Sequence, residues 1–294
     1  MSSAATAARR LPPWLKVPLP GGPRYERLKE VSARRGLATV CAQARCPNIA
    51  ECWGGGTATF MVMGDACTRG CRFCAVRSEA HPPRPAADEP IKLAETLAEM
   101  SLQYAVITTV CRDDLPDQGA AHLAQCIRAV KQRCPAMKVE MLAQDFRGNR
   151  ALLEKVIDAG PDVLAHNIEC VERLTASVRD AKAGYRQSLD VLAHAKRFRR
   201  GLVTKSSVML GLGETEDELL RTLSDLRASG CDILTLGQYL RPSLSGHHLP
   251  VARFLEPAAF ERYGRLARGM GFLRVASGPF VRSSYRAAAM FPST

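Results

Sequence analysis

Two sets of three cysteines near the amino end constrain the fold of this chain more than any other feature. They are six of the eleven cysteines in its 294 residues: Cys41, Cys46, Cys52, Cys67, Cys71 and Cys74. A closed structural zinc site takes four protein ligands, so three thiols leave such a site incomplete. A cubane iron–sulfur cluster bound by three thiolates keeps one iron open for another ligand. The fold must therefore gather each set of three sulfurs in space.

Short runs of apolar and β-branched residues alternate with longer helical patterns from residue 57 onward. This alternation is typical of parallel β-α-β units. The predicted strands are 58–63, 104–109, 138–142, 163–167, 204–209 and 232–236. Helical patterns follow near 90–101, 119–133, 150–159, 186–199, 215–229 and 257–270. Six such units need not close on themselves, so we predict an α/β fold, a partial (β/α)6 barrel of the TIM type.

Chemically active side chains follow each predicted strand. In β/α barrels the active site lies at the carboxyl ends of the strands. After the six strands come, in order, the second cysteine set, residues 109–114, Asp145, Asn167, Glu214 and Gln238. We therefore predict a single active site at this end of the sheet.

The second cysteine set resembles the cluster motif of the radical S-adenosylmethionine (SAM) enzymes. Residues 67–74 read CTRGCRFC, the C-x3-C-x2-C pattern, and Phe73 stands at the aromatic position of that motif. Half of a zinc knuckle is the alternative, because C-x2-C pairs are common in zinc sites. No second C-x2-C pair occurs in the chain, which favours the cluster.

The first cysteine set extends the resemblance to one family, the lipoyl synthases. Residues 41–53 read CAQARCPNIAECW, which is similar to the auxiliary-cluster motif of that family, and residues 282–285 match its RSSY motif. The resemblance covers residues 12 to 285. It implies that Cys41, Cys46 and Cys52 bind an auxiliary cluster with Ser283 as the fourth ligand, Ser284 being the alternative. A serine oxygen is a hard ligand that iron exchanges more readily than thiolate.

The resemblance also implies the reaction, the cofactors and the partners. Two [4Fe–4S] clusters and SAM insert sulfur at C6 and C8 of an octanoyl-lysine, and the auxiliary cluster is the sulfur donor. The catalytic residues are then Cys67, Cys71, Cys74 and Ser283. The expected partners are octanoylated lipoyl carrier domains (E2 subunits of 2-oxoacid dehydrogenases and the glycine cleavage H protein), an electron donor such as flavodoxin or ferredoxin, and a cluster-repair protein.

Six residues are further candidates for cofactor binding: Phe73, Thr109, Asn167, Lys205, Glu214 and Gln238. Two of them have structural alternatives. Lys205 pairs with a carboxylate or lies at a solvated strand end, and Asn167 binds SAM or is a satisfied core amide. The segment 211–215, GLGET, lacks the third glycine of a dinucleotide-binding loop, which argues against NAD.

The net charge of +12 favours an acidic partner without choosing its class. A zinc-dependent nucleic-acid-binding protein is therefore one alternative, and a biotin-synthase-like radical SAM enzyme is another. We predict a monomer with neither nucleic acid nor membrane as partner. Eleven cysteines without an export signal indicate a reducing compartment, the cytoplasm or alternatively a mitochondrial matrix or plastid stroma.

Three segments divide the chain by their patterns. Residues 1–56 form an extension that carries the auxiliary-cluster cysteines, residues 57–277 form the radical SAM partial barrel, and residues 278–294 form a tail with the RSSY motif. The tail must fold back over the barrel if its serine is to reach the first cysteine set.

Overall fold

A computed structural model describes residues 11–16, 21–35, 39, 48–54 and 57–292 of the chain. Its strands are β1 Thr57–Val62, β2 Ala66–Cys67, β3 Arg77–Ser78, β4 Tyr104–Thr109, β5 Lys138–Leu142, β6 Val163–Ala165, β7 Val203–Leu210, β8 Ile233–Gln238 and β9 Arg274–Gly278. Its α-helices are α1 Pro23–Arg35, α2 Ile49–Gly54, α3 Glu89–Met100, α4 Ala120–Arg133, α5 Arg150–Asp158, α6 Thr175–Val178, α7 Tyr185–Phe198, α8 Glu216–Ala228, α9 Pro257–Gly269 and α10 Ala287–Met290.

The main sheet is parallel and has seven strands in the order β1-β4-β5-β6-β7-β8-β9. Among the described residues β1 and β9 do not pair, so the barrel is open. The predicted α/β partial barrel is confirmed, and its six strands begin and end within two residues of the predicted bounds.

The predicted number of strands in the main sheet, six, is too low by one, because the prediction lacks β9. This strand, Arg274–Gly278, reads RVASG, begins at an exposed arginine and buries none of its residues fully. Ala, Ser and Gly have low β-propensity, so no apolar run marks the strand in the sequence. It pairs with β8 from Ile233–Arg274 to Gly237–Gly278.

The helices pack on the outer face of the sheet through apolar residues at helical spacing. In α3 the buried positions include Leu93, Leu97 and Met100, which recur every three or four residues. Ala105 and Ile107 of β4 belong to the same cluster, so the outer face of that strand contacts helices. No helix in the described part of the chain is long and apolar enough to span a bilayer.

Three polar side chains are buried together on the inner face of the sheet, near the amino ends of its strands. Lys205 donates to both carboxylate oxygens of Glu140, at 2.9 and 3.0 Å, and the Tyr104 hydroxyl donates to the same carboxylate at 2.7 Å. The Lys205 and Glu140 side chains are 1% and 2% exposed. Burial and the Glu140 charge raise the pKa of Tyr104 well above its usual value. A neutral phenol and a compensated charge pair therefore line this end of the barrel.

The carboxyl-terminal segment covers the same inner face. Ala287 of α10 is buried against Tyr104 and Val106, and Ala288 and Phe291 pack beside it. The Phe291 ring lies edge-on to Tyr104 at a centroid distance of 6.2 Å, and the Lys138 ammonium lies 5.3 Å from the Phe291 centroid. The tail thus fills part of the open barrel near the amino ends of the strands.

Replacing Lys205 with methionine tests the inner charge pair. The change leaves the Glu140 carboxylate buried without a cation, so the free energy of unfolding in urea should fall by about 3–5 kcal/mol. Lys138→Met removes the exposed partner of Asp162 at the same end of the sheet and should cost less than about 1 kcal/mol. Adding Glu140→Gln to Lys205→Met should recover part of the loss. Equal stability of the two single variants would contradict the predicted role of Lys205.

Candidate active site

The second cysteine set lies in a loop at the carboxyl end of β1, as predicted. The two-residue strands β2 and β3 pair across the loop, and the Glu79 amide donates to the Cys67 carbonyl at 2.9 Å. Within the loop the Cys74 amide donates to the Cys71 carbonyl at 3.1 Å. Phe73 is half-buried between these two cysteines. The three thiols are therefore held by one short, hydrogen-bonded segment.

Backbone amides point at two of the three sulfurs. The amides of Arg69 and Cys111 lie 3.4 and 3.3 Å from the Cys67 sulfur, and the Asp180 amide lies 3.3 Å from the Cys71 sulfur. Such N–H···S bonds stabilise thiolate and tune iron–sulfur clusters. A donor set of three thiols with amide support fits a cubane cluster.

The three thiols differ in how readily they ionise. A hydrogen bond from the Cys111 thiol, together with the amide bonds, lowers the pKa of Cys67 to about 6. Burial raises the pKa of Cys71 above its usual value and that of Cys74 to about 12. Thiolate is the form that binds metal. Cys67 is therefore the sulfur most easily available in that form.

Arg69, inside the cysteine loop, fastens the loop to two neighbouring strands, a role that the sequence analysis missed. Its guanidinium makes two bonds of 2.9 Å to Asp113, after β4, and two of 2.7 Å to Asp145, after β5. All three side chains are at most 4% exposed. The sequence signals for this role were the cation within the loop and the acidic residues that follow β4 and β5. Paired double hydrogen bonds of this kind fix geometry as well as charge.

The side chain of Asn167 is only partly hydrogen-bonded. Its amide nitrogen donates to Glu169 at 3.1 Å, whereas its side-chain oxygen is buried and accepts no hydrogen bond from the described residues. Burial raises the pKa of Glu169. Among the described residues Asn167 is therefore not a fully satisfied amide, and its contact with SAM stays a prediction.

Glu214 and Gln238 hold the loops after β7 and β8. The Glu214 carboxylate accepts from the amides of Gly211 and Leu212 at 2.7 and 2.9 Å. The Gln238 side chain donates to the carbonyls of Leu210, Tyr239 and Arg253 and accepts from the Leu255 amide. Both side chains thus shape the loops that border the site.

The remaining predicted residues lie in two different places. Thr109, at the carboxyl end of β4, is half-buried, and its hydroxyl donates to the Val110 carbonyl at 2.8 Å. Lys205 lies on β7 five residues before the end of that strand, about 16 Å at strand spacing. The alternative of a solvated strand end is wrong, since its carboxylate partner is Glu140. The structure does not bring Lys205 to the cysteine loop.

Of the first cysteine set, the described residues include Cys52, which is buried in α2 just before β1 in the chain. Cys41 and Cys46 lie outside the described residues. β1, with six residues, therefore separates Cys52 from the second cysteine set along the sequence.

The RSSY tail contacts helix α2, which contains Cys52, and the residue just before that helix. The Asn48 amide nitrogen donates to the Phe280 carbonyl, and the Tyr285 hydroxyl lies 3.1 and 3.2 Å from the two oxygens of Glu51. The Arg286 Nε donates to Glu51 at 2.7 Å. Ser283 is half-buried between these contacts. The fold thereby brings Ser283 to the helix that carries Cys52.

The acid sensitivity of the protein should reflect the Arg69 bridge. Burial alone would raise the pKa of Asp145, but hydrogen bonds from Arg69 outweigh it and hold the pKa at about 2. The unfolded value is about 3.9, so this contribution of about 2–3 kcal/mol is complete above pH 4 and is lost as the pH falls through about 2.

Urea unfolding of wild type and Asp145→Asn over a pH series measures this contribution. The difference in unfolding free energy should be largest near pH 6 and shrink below about pH 4. Asp158→Asn removes an exposed carboxylate 3.9 Å from Arg199 and serves as the control, with little pH dependence expected. A wild-type-to-Asp145→Asn difference that is constant from pH 6 to pH 2 would contradict the prediction.

Comparisons with known proteins agree with this site. The family model of the Radical SAM superfamily matches residues 61–226, and that of the N-terminal domain of lipoyl synthase of the Radical_SAM family matches residues 2–46. The chain resembles the FeFe-hydrogenase maturase HydG from Carboxydothermus hydrogenoformans in fold, with a TM-score of 0.58 and 14% identity over 85% of this chain and 56% of that one.

Two curated relatives carry the same name. "Lipoyl synthase" of Anaeromyxobacter sp. (strain Fw109-5) is 57% identical, over 96% of this chain and 95% of the relative. "Lipoyl synthase, mitochondrial" of Candida glabrata is 51% identical, over 96% of this chain and 74% of the relative. These relatives set aside both the zinc-dependent and the biotin-synthase-like alternatives. The chain therefore belongs to the lipoyl synthase family, radical SAM enzymes that insert sulfur and use SAM and [4Fe–4S] clusters as cofactors.

Proposed function

We propose that this enzyme forms the lipoyl group by inserting sulfur at C6 and C8 of an octanoyl-lysine, with the auxiliary cluster as the sulfur donor. The observation that carries the proposal is the contact between the RSSY tail and helix α2. This contact joins the segment that contains Ser283 to the helix that contains Cys52 across more than two hundred residues of sequence, which supports a ligand set that includes both. Ser283, rather than Ser284, is the proposed fourth ligand.

The residues of the chain have distinct tasks in this reaction. When bound, SAM and the cluster at Cys67, Cys71 and Cys74 supply the radical that abstracts hydrogen, and the auxiliary cluster supplies sulfur. Arg69 keeps the cysteine loop against the sheet, while Cys41, Cys46, Cys52 and Ser283 hold the donor. Because β1 lies between Cys52 and the second cysteine set along the chain, the acyl chain is proposed to lie in the barrel interior that this strand borders.

The proposed SAM contacts come from the residues around the cysteine loop. Asn167 offers its unpartnered side-chain oxygen to a ligand donor such as the SAM ammonium. Phe73 and Thr109 border the same loop and strand end. Glu214 and Gln238 are proposed to act through the loops that they hold. Lys205 is proposed to act from the interior, by stabilising the inner face through Glu140.

Lipoyl synthases act on lipoyl carrier proteins, and the net charge of +12 suits an acidic carrier domain. We propose E2 subunits of 2-oxoacid dehydrogenases and the glycine cleavage H protein as carriers. We further propose a flavodoxin or ferredoxin as the reductant and a cluster-repair protein as a partner. We propose a monomeric state, with neither nucleic acid nor membrane as partner. The proposed location is the cytoplasm. The alternatives are the mitochondrial matrix, which the name of the Candida glabrata relative suggests, and the plastid stroma.

Anaerobic turnover of an octanoylated peptide with SAM, followed by mass spectrometry, tests the proposed function. The wild-type chain should bind about eight irons, as two cubanes require, and produce the dithiolane. With alanine at positions 41, 46 and 52 the protein should still bind about four irons and still cleave SAM. It should no longer insert sulfur, because the proposed donor is gone. Alanine at positions 67, 71 and 74 should abolish SAM cleavage as well.

Cys134→Ala is the matched control, because Cys134 is a half-buried cysteine outside both sets. Its iron content and turnover should equal those of the wild type. Sulfur insertion by the 41, 46, 52 variant would contradict the assignment of the donor, and a wild-type chain with only four irons would contradict the assignment of two clusters.

A further inference from the structure

The tail is held on both sides of Ser283. Before the serine, the Pro279 carbonyl accepts from the Gln238 amide at 3.3 Å, and the Phe280 carbonyl accepts from Asn48. The chain then passes so close to Gly237 that a Cβ there would lie 2.0 Å from the Val281 carbonyl oxygen. After the serine, Tyr285 and Arg286 both bind Glu51. Three residues lie between the two attachments: Arg282, Ser283 and Ser284.

The two attachments differ in exposure. Asn48 is 5% exposed, and the segment that it holds lies against β8. Glu51 and Arg286 have side chains that are 42% and 61% exposed. Exposed ion pairs form and break more easily than buried hydrogen bonds. The attachment after the serine is therefore the weaker of the two and the one that water can reach.

Glu51 binds both residues of the second attachment. Its carboxylate accepts from both Tyr285 and Arg286, and the Arg286 guanidinium lies 5.4 Å from the Tyr285 ring centroid. Tyr285 also packs against the hydrophobic cluster that contains Trp53. Glu51 directly precedes Cys52 in the chain, so the attachment lies next in sequence to a proposed cluster ligand.

We propose that Glu51 is a positioning residue that holds Ser283 beside Cys52 and thereby sets how firmly serine ligates the auxiliary cluster. This inference rests on the proposed function, in which Ser283 is a cluster ligand. Glu51 is not itself a proposed cluster ligand; it acts through Tyr285 and Arg286. Releasing that attachment loosens the segment around Ser283, while Asn48 still holds the tail upstream and the packing of Ala287 and Phe291 still holds it downstream.

The same chain contains a matched group of three residues far from this site. Glu216 at the start of α8 binds Arg262 and Tyr263 of α9, and the Arg262 guanidinium lies 4.7 Å from the Tyr263 ring centroid. The Glu216 and Arg262 side chains are 41% and 46% exposed, close to those of Glu51 and Arg286. Glu216→Gln therefore controls for the loss of one exposed carboxylate in the same chemical setting.

The test compares Glu51→Gln with Glu216→Gln in the full chain. In the cluster-free protein, hydrogen exchange of the amides of residues 285–291 should be about three- to tenfold faster in Glu51→Gln, because a charged acceptor is lost. In reconstituted protein under anaerobic conditions, a chelator should remove the irons of the auxiliary cluster faster by a similar factor, with the other four irons released at the wild-type rate. Glu216→Gln should behave as wild type in both measurements.

Exchanging the charges gives a rescue variant. Glu51→Arg combined with Arg286→Glu restores the ion pair in reverse, so it should slow both tail exchange and iron release relative to Glu51→Arg alone. Unchanged exchange in Glu51→Gln, or faster exchange without faster iron release, would overturn the inference. A wild-type chain with a single cluster would overturn the proposed function instead, and the exchange measurement in cluster-free protein would still report on the attachment.

Discussion

The pairing of strand β1 holds the part of the chain that lies between the two cysteine sets. Its six residues pair with β4 in register from Thr57–Tyr104 to Val62–Thr109. Cys52 precedes the strand in α2, and the second cysteine set follows it. In the proposed reaction the acyl chain must reach both a radical source and a sulfur donor, and a strand fixed in a parallel sheet keeps such groups positioned.

Electrostatics secures the two ends differently. At the carboxyl ends of the strands, Arg69 is buried between Asp113 and Asp145, and the loop that carries three cysteines cannot move without breaking four hydrogen bonds. Near the amino ends, the tail is attached through exposed charges on Glu51 and Arg286. A buried bridge fixes the cysteine loop firmly, whereas an exposed attachment is released more easily, which in the proposed function suits a serine ligand that must be replaced.

Much of this architecture could be predicted from sequence, because cysteine spacing and strand–helix alternation are local patterns. The strands Tyr104–Thr109 and Lys138–Leu142 were predicted at their exact bounds. β9 could not be predicted, since its stability comes from pairing with β8 rather than from apolar residues of its own. The role of Arg69 was missed, and the carboxylate that pairs with Lys205 was left unnamed, for a related reason: which carboxylate faces a buried cation depends on how the strands are arranged in space, and no spacing in the sequence records it.

The position of Phe291 against Tyr104 means that the inner face of the sheet is completed late in synthesis. Residues 287–291 leave the ribosome after all seven strands of the main sheet, yet they cover Tyr104 and Val106 of β4, a strand made long before. Until these residues arrive, the two side chains lack this cover in the nascent barrel.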